Sequence, residues 1–139
     1  MIIITKDPID TQRVMDYVKD SAAGAISIFI GNVRNHNSSG SVSEILYEAY
    51  KKMAEDVMAN IETETLEKWN LRRFIAIHRI GKLKVGETSV VVAVSSGHRR
   101  EAFDACNYGI DNIKDRVPIW KKEISKTSQK WAEGKSLVR

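Results

Sequence analysis

The stretch "TSVVVAVSS", residues 88–96, decides the fold, because it is valine-rich and apolar on both of its alternating faces. A strand with two apolar faces has to be covered on both sides, as the interior strands of layered α/β domains are. We therefore predict a central strand over 88–96. The next residues, "GHRREAF", predict a helix that begins near Arg99 and extends to about Arg116. Its apolar residues at helical spacing are Phe103, Cys106, Ile110 and Ile113.

The segments around this unit alternate between strand and helix patterns. Asp7 and Pro8 supply an N-cap and a proline at the first helical position, which predicts a helix over about 8–20. A second helix is predicted over about 51–68, with one apolar side formed by Met53, Ala54, Val57, Met58, Ile61 and Thr65. Strands are predicted at 2–5, 24–33, 43–50, 72–80 and within "VPIWKKEIS", residues 117–125, and a turn at "GKLKVGE".

The order β-α-β-β-α-β-β-α-β predicts the α+β (mixed α/β) class. A chain of 139 residues is large enough to bury one core, so we expect a single domain over 1–139, with a polar tail from about 126.

The composition excludes several classes of protein. Hydrophobic residues make up 42% and charged residues 29%, and no apolar run approaches the length of a membrane helix. The single cysteine, Cys106, fits a reducing cytoplasm, where we expect the protein to reside. The cysteine and three histidines lack metal-ligand spacing, and no phosphate-binding glycine pattern is present, so we predict neither metal nor cofactor. Aromatic residues do not interleave with the basic clusters, which argues against nucleic acid.

Three basic clusters are candidates for a binding site. The first is Asn32-Val33-Arg34, at the exit of an apolar strand, where the planar guanidinium of Arg34 could hold an anion. Taken alone, this cluster is equally well explained as a solvated loop.

The second cluster is His98-Arg99, at the predicted start of a helix. The unpaired N–H groups and positive dipole end of a helix N-terminus suit a phosphate or carboxylate. Cations at that end oppose the dipole, so their presence favours an anionic ligand over a structural role.

The third cluster combines Lys114 with Lys121-Lys122-Glu123. Strand alternation places Ile119, Lys121 and Glu123 on one face, and Trp120, Lys122 and Ile124 on the other. Two adjacent lysines therefore cannot serve one pocket equally. Partly desolvated lysines suit proton transfer or nucleophilic attack. The alternative is that the lysines protect an edge strand from aggregation.

Several motifs in this chain closely resemble one family. They are "FIGNVRNHN" (29–37), "HRIGKLKVGE" (78–87), "AVSSGHRREAF" (93–103), "IDNIKDRVPIWKKE" (110–123) and the later Trp131. Together they resemble the large, catalytic subunit of molybdopterin synthase, the MoaE family, in order from about Gly24 to Trp131.

The resemblance implies an α/β hammerhead fold with an additional antiparallel β subdomain. It also implies a homodimer in which each chain binds one small ubiquitin-like sulfur-carrier subunit, a heterotetramer overall. The implied reaction converts cyclic pyranopterin monophosphate (precursor Z) into molybdopterin, with two sulfurs delivered as a thiocarboxylate on the carrier's C-terminal Gly-Gly.

Carried over by position, the resemblance assigns functions to the three clusters found above. Lys114 and Lys121 are implied to be catalytic. The implied substrate-binding residues are Asn32, Val33, Arg34, His98, Arg99, Lys114, Lys121, Lys122 and Glu123. Whether the pocket draws on both subunits stays open.

Two other classes of function are compatible with a basic α/β domain. One is a module that binds RNA or a phosphorylated ligand without chemistry, whose affinity would fall steeply with salt. The other is a structural subunit whose lysines only pair with an acidic partner.

Overall fold

The computed structural model describes residues 1–38, 40–125 and 129–131. Its elements, in chain order, are β1 (Ile2–Thr5), α1 (Thr11–Val18), β2 (Ala25–Asn32), β3 (His36–Asn37), β4 (Gly40–Ser41), β5 (Glu44–Ala49), α2 (Lys51–Lys68), β6 (Leu71–Arg79), β7 (Gly81–Lys84), β8 (Thr88–Ser96), α3 (Arg99–Arg116), β9 (Ile119–Ile124) and β10 (Gln129–Trp131). The α+β class is confirmed.

The first sheet has the strand order β1-β6-β8-β2, with β8 hydrogen-bonded on both sides to antiparallel neighbours. The prediction of a central strand over 88–96 is confirmed. Val90, Val92 and Val94 pack into the main core with α2 and α3, whereas Val91 and Ala93 pack against α1. The two apolar faces of β8 are each covered by a helical layer, as the valine pattern requires.

The second sheet has the order β10-β9-β5-β7 and is antiparallel throughout. The strand β9, which carries the adjacent lysines, pairs with β5 on one side and β10 on the other. The alternative of an aggregation-blocking edge strand does not fit Lys122–Ile124, where β9 has a paired neighbour on both sides, whereas Ile119–Lys121 pair with β5.

The first helix is shorter than predicted. It begins at Thr11, and its N-cap is Asp10, whose carboxylate accepts from the backbone N–H groups of Gln12 and Arg13 at 3.0 and 3.3 Å. Asp7 and Pro8 precede the helix, because a stronger capping position lies three residues further along.

Two predicted core residues are exposed. Met53 is 50% exposed and Phe103 is 62% exposed. Each lies one residue, or about 100° of helical rotation, away from an alanine that faces the sheet, Ala54 or Ala102. The other predicted apolar residues of α3, Cys106, Ile110 and Ile113, are buried.

Four strands were missing from the sequence prediction: β3, β4, β7 and β10. The "GKLKVGE" segment contains β7, and "RNHNSSGS" contains the short hairpin of β3 and β4. Most of the polar tail predicted from about residue 126 lies outside the described residues. The strand β10 lies in the described part of this tail. In the part of the chain that the structure describes, no helix is both long and apolar enough to span a membrane.

Candidate active site

Arg34 and His98 lie at opposite ends of the first sheet within one chain. The strands β2 and β8 are antiparallel, with Asn32 beside Thr88 at one end and Ala25 beside Ser96 at the other. Arg34 leaves the first of these ends and His98 the second. The strand between them is about 23 Å long at about 3.3 Å per residue. The structure does not bring the first and second basic clusters together in one protomer.

Lys114 lies toward the same end of the sheet as Arg34. Helix α3 begins directly after β8 and packs back along it, since Cys106 Sγ contacts the carbonyl oxygen of Val92 at 3.5 Å. Lys114 is about 22 Å further along the helix than Arg99 at about 1.5 Å per residue. It is exposed in the last turn, where a cation also suits the negative end of the helix dipole.

His98 is the N-cap of α3, and Arg99 is its first residue, as the sequence predicted. The His98 side chain makes no capping hydrogen bond, and both side chains are exposed. Glu101 adds one carboxylate to the first turn. This helix N-terminus therefore presents two exposed basic side chains beside unpaired N–H groups, an arrangement that suits an anion.

The lysines of β9 point to opposite faces of the second sheet. The register pairs Ile119 with Ala49, Lys121 with Tyr47, and Glu123 with Ile45, so these residues share one face. Ile45 and Ile119 are buried, which makes this the inner face of the sheet. Lys122 pairs with Leu46 on the other face. The predicted alternation is confirmed, and Lys121 is half-buried beside the core.

The loop that carries Arg34 is attached to the second sheet. Asn37 Nδ2 donates to Glu123 Oε2 at 2.5 Å, and the backbone N–H and hydroxyl of Ser43 both donate to the carbonyl of Ile124. Through these contacts the loop after β2 lies against the strand that carries Lys121. The structure thus ties the segment that follows Arg34 to Glu123 of the third predicted cluster.

Val33 is a core residue and not an exposed one. Its side chain is 3% exposed in a cluster with Val42, Ile45 and Leu83. Its N–H donates to the carbonyl of Glu87, and its carbonyl accepts from the N–H of Gly86. With both backbone groups engaged, Val33 anchors the chain on either side of it, while Asn32 and Arg34 stay exposed.

The sequence reasoning missed Tyr47, which lies opposite Lys121 across the sheet, and two polar residues near Tyr47, His78 and Ser89. The Tyr47 and His78 rings form an edge contact with centroids 5.1 Å apart. Burial raises the pKa of the Tyr47 hydroxyl, against a hydrogen bond with Ser89 that lowers it, and the Glu123 charge raises it further. The signal for Tyr47 is its alternation with Ile45 on β5, whereas the sequence around His78 shows no metal-ligand spacing.

The end of α3 that carries Lys114 is held by an ion pair with α2. The Arg116 guanidinium binds both carboxylate oxygens of Glu64, at 2.6 and 2.8 Å, and the Tyr108 hydroxyl donates to the same carboxylate at 2.7 Å. These hydrogen bonds lower the pKa of Glu64 to about 2.

Cys106 is a buried thiol in the middle of α3. Burial raises its pKa, so the reactive thiolate is disfavoured at neutral pH. Among the described residues, no group of three or more His, Cys, Asp or Glu side chains is placed to hold a metal ion.

Comparison with known proteins identifies the family. The MoaE protein family matches residues 4–116. The molybdopterin synthase catalytic subunit of Bacillus subtilis is 45% identical over 128 residues, covering 92% of this chain and 82% of the relative.

Two solved structures share the fold. The crystal structure of molybdopterin synthase from Staphylococcus aureus superposes with a TM-score of 0.88 at 40% identity and covers 93% of this chain and 94% of that one, in agreement with the hammerhead fold and antiparallel subdomain. A complex of subunits 1 and 2 of the molybdopterin-converting factor of Helicobacter pylori matches with a TM-score of 0.79 at 18% identity, covering 97% of this chain and 92% of that one, a likeness of fold alone. The chain belongs to the MoaE family of molybdopterin synthase catalytic subunits.

Proposed function

We propose that this chain converts precursor Z into molybdopterin as a sulfurtransferase. In this proposal the sulfur arrives as a thiocarboxylate at the Gly-Gly terminus of a small ubiquitin-like carrier subunit. Membership of the MoaE family makes the chain an enzyme subunit of molybdenum cofactor biosynthesis. The observation that carries the finer proposal is the position of Lys121, on the inner face of β9, a strand that contacts the loop carrying Arg34 through Glu123 and Asn37.

The residues at this end of the sheet suit the chemistry of sulfur transfer to a phosphorylated pterin. Arg34 and Asn32 are exposed and can hold the anionic groups of the substrate through charge-assisted hydrogen bonds. Lys121 is positioned to stabilise the negative charge that develops when the thiocarboxylate reacts, or to donate a proton to the departing oxygen. Lys114, on the adjacent helix end, adds a second cation, and Glu123 completes the polar inner face.

His98 and Arg99 fit this pocket as a contribution from a second copy of the chain. They lie about 23 Å from the Asn32 end of their own β2 strand. The strand β2 is at the edge of the first sheet, where Ile26 and Ile30 are 38% and 41% exposed, and Phe103 of α3, which packs on β2, is 62% exposed. Exposed apolar side chains along an edge strand favour an interface.

A two-fold interface along β2 would explain the separation of the clusters. Two identical edge strands related by a two-fold axis perpendicular to them run antiparallel, so the start of one lies beside the end of the other. The partner's His98 and Arg99 would then approach Arg34 of this chain. We therefore include a homodimer in the proposal, with one carrier bound to each chain in a heterotetramer. The solved Helicobacter pylori relative is a complex of two different subunits.

The experiment mixes the purified chain with precursor Z and a thiocarboxylated carrier, then oxidises the mixture and measures the fluorescent pterin. Product should form only when all three are present. Absence of product with a correctly thiocarboxylated carrier would refute the proposed reaction. Tight, salt-sensitive binding of oligonucleotides in that case would support the RNA-binding module instead.

A further inference from the structure

We infer that Glu87 is a positioning residue for Arg34, because its carboxylate, held by Arg79, fixes the turn to which the chain directly before Arg34 is bonded. The inference rests on the proposed function, in which Arg34 holds an anionic group of precursor Z. It assigns Glu87 and Arg79 no contact with the substrate.

The first step is the attachment of Val33 to the turn between β7 and β8. The N–H of Val33 donates to the carbonyl oxygen of Glu87 at 2.9 Å, and the N–H of Gly86 donates to the carbonyl oxygen of Val33 at 2.8 Å. The pairing of β2 with β8 ends one residue before Val33. These two bonds therefore extend the hold of the protein on this chain to the residue directly before Arg34.

The second step is the way Glu87 closes that turn. The N–H of Glu87 donates to the carbonyl oxygen of Lys84 at 3.0 Å, and the N–H of Lys84 donates to Glu87 Oε1 at 2.8 Å. Gly86, between them, has a φ of 89°, in the left-handed region that glycine adopts without strain. Glu87 thus closes the turn with both its backbone and its side chain, and the turn sets the direction of the groups that bond Val33.

The third step is the link from the turn to the end of the first sheet, which Arg79 supplies. Arg79 Nη1 donates to Glu87 Oε2 at 2.6 Å, and Arg79 Nε donates to the carbonyl oxygen of Lys6, the residue after β1, at 3.1 Å. The Arg79 side chain is only 12% exposed. A planar guanidinium donates from fixed positions, so the two bonds fix the Glu87 carboxylate relative to the backbone that follows β1.

The Glu87 carboxylate is charged and fully engaged in this arrangement. The hydrogen bond from Arg79 and the one from the backbone of Lys84 both lower the pKa of the carboxyl. Each oxygen has its own donor, Lys84 for Oε1 and Arg79 for Oε2. Removal of the carboxylate would leave both donors without this acceptor, so the turn would lose the bonds that define its shape.

The sign of the expected effect separates positioning from simple electrostatics. Arg34 is proposed to bind an anion, and a carboxylate on the neighbouring turn repels an anion. By charge alone, Glu87→Ala would tighten the binding of precursor Z, and Arg79→Ala would weaken it. Positioning predicts that both variants weaken binding, because each releases the turn to which Val33 is bonded.

The first measurement is the Kd of precursor Z, determined by isothermal titration calorimetry on the purified chain without carrier. A charge-assisted hydrogen bond contributes about 10–100-fold to affinity, so Arg34→Ala should raise the Kd by about that factor. Glu87→Ala and Arg79→Ala should each raise it about tenfold. In the Arg34→Ala background, Glu87→Ala should cause no further loss, because it acts through Arg34.

Asp16→Ala is the matched control for the change in net charge. Asp16 is exposed in α1, 3.9 Å from Lys19, and α1 packs against the face of the first sheet opposite to α2 and α3. The variant removes one paired carboxylate, as Glu87→Ala does, without touching the turn. It should keep the wild-type Kd.

The second measurement is amide hydrogen exchange, which needs no substrate. In Glu87→Ala the amides of Val33 and Gly86 should exchange about two- to tenfold faster, because the turn that orders both of them has lost its side-chain bonds. The amides of Val91 and Val92, in the middle of β8, should exchange at the wild-type rate.

Several results would overturn the inference. They are tighter or unchanged binding in Glu87→Ala, a further loss in its double variant with Arg34→Ala, unchanged exchange at Val33 and Gly86, or an equal loss of affinity in Asp16→Ala. If Glu87→Ala fails to fold, Glu87→Gln takes its place with the same expected directions. A wild-type chain that binds no precursor Z refutes the proposed function itself, whereas unchanged binding in Glu87→Ala refutes only the positioning role.

Discussion

Asn37 and Glu123 are separated by 86 positions in the chain, and the Asn37 amide donates to the Glu123 carboxylate. This contact joins the loop after β2 to the strand β9. It brings the loop that contains Arg34 against the strand that contains Lys121. The arginine that we propose to bind an anion and a half-buried lysine thereby lie on connected segments, and the first prediction concerns that lysine.

Lys121→Ala should abolish product formation without unfolding the protein, whereas Lys122→Ala should be milder. Lys121 lies on the inner face opposite Tyr47, and Lys122 lies on the outer face opposite Leu46. Removal of a general acid or a charge-stabilising group typically costs about 10²–10⁴-fold in rate. The measurement is the fluorescent oxidised pterin per mole of enzyme, with circular dichroism as the folding control. Equal losses in the two variants would show that strand alternation does not decide their roles.

Cys106→Ala should retain sulfur transfer when thiocarboxylated carrier is supplied. The thiol is buried in the main core, and burial raises its pKa, so it is a poor site for a persulfide. Truncation of a small buried side chain should lower the free energy of unfolding by about 1 kcal/mol. Product formation and a thermal melt are measured on the same sample. Loss of turnover in a fully folded variant would make Cys106 a participant in the reaction.

The elements of the first sheet could be predicted from the sequence because their patterns are local. The valine run of 88–96 and the helix from Arg99 to Arg116 matched the structure at both ends. The short strands β3, β4 and β7 were missed. β3 and β4 have two residues each and form a local hairpin, and β7 has four residues and forms by pairing with β5. Segments this short leave little periodicity in the sequence.

The site could be predicted as residue clusters but not as a spatial arrangement. The basic candidates could be recognised because a cation at a loop exit, at a helix start or in a strand lowers stability unless it has a partner. They are Arg34, His98, Lys114 and Lys121. Their grouping depends on the direction of β2 against β8, which places His98 far from Arg34. Tyr47 could not be recognised as a partner of Lys121, because the cross-strand register is a property of the sheet and not of either strand.

The pair formed by Glu64 and Arg116 predicts a pH dependence of stability. The pKa of Glu64 is lowered to about 2 in the folded chain, from an ordinary value of 4.5. A lowered carboxylate pKa contributes stability that is fully present above about pH 4.5 and is lost as the pH falls toward 2. Because the Glu64 side chain is 35% exposed, solvent screening limits this contribution to about 1 kcal/mol.

The variant Glu64→Gln should therefore melt earlier than the wild type at pH 7, and the two curves should converge as the pH approaches 2. Thermal melts followed by circular dichroism between pH 2 and pH 7 measure the difference. Glu67→Gln, an exposed position in the same helix, is the matched control and should leave the curve unchanged. A constant difference between Glu64→Gln and wild type at all pH values would contradict the ion-pair explanation.

Subunit mixing tests whether the partner's His98 completes the site around Arg34. Arg34→Ala and His98→Ala should each be nearly inactive as homodimers. If every site combines Arg34 from one chain with His98 from its partner, a mixed dimer contains one intact site and one doubly altered site. Random exchange at equal amounts makes about half of the dimers mixed, so about a quarter of wild-type activity should return.

The control mixes Arg34→Ala with Lys121→Ala. These two residues are joined within one chain through the Asn37–Glu123 contact, so each dimer site would contain at least one altered residue, and activity should stay at the level of the single variants. Exchange is verified by native mass spectrometry of chains that differ in tag mass. Recovery in the control mixture, or no recovery with His98→Ala despite proven exchange, would show that the clusters are not shared in this way. Recovery only in the mixture of Arg34→Ala with His98→Ala would mean that His98 acts in the site of the partner chain. Within one chain, the length of β2 separates His98 from Arg34.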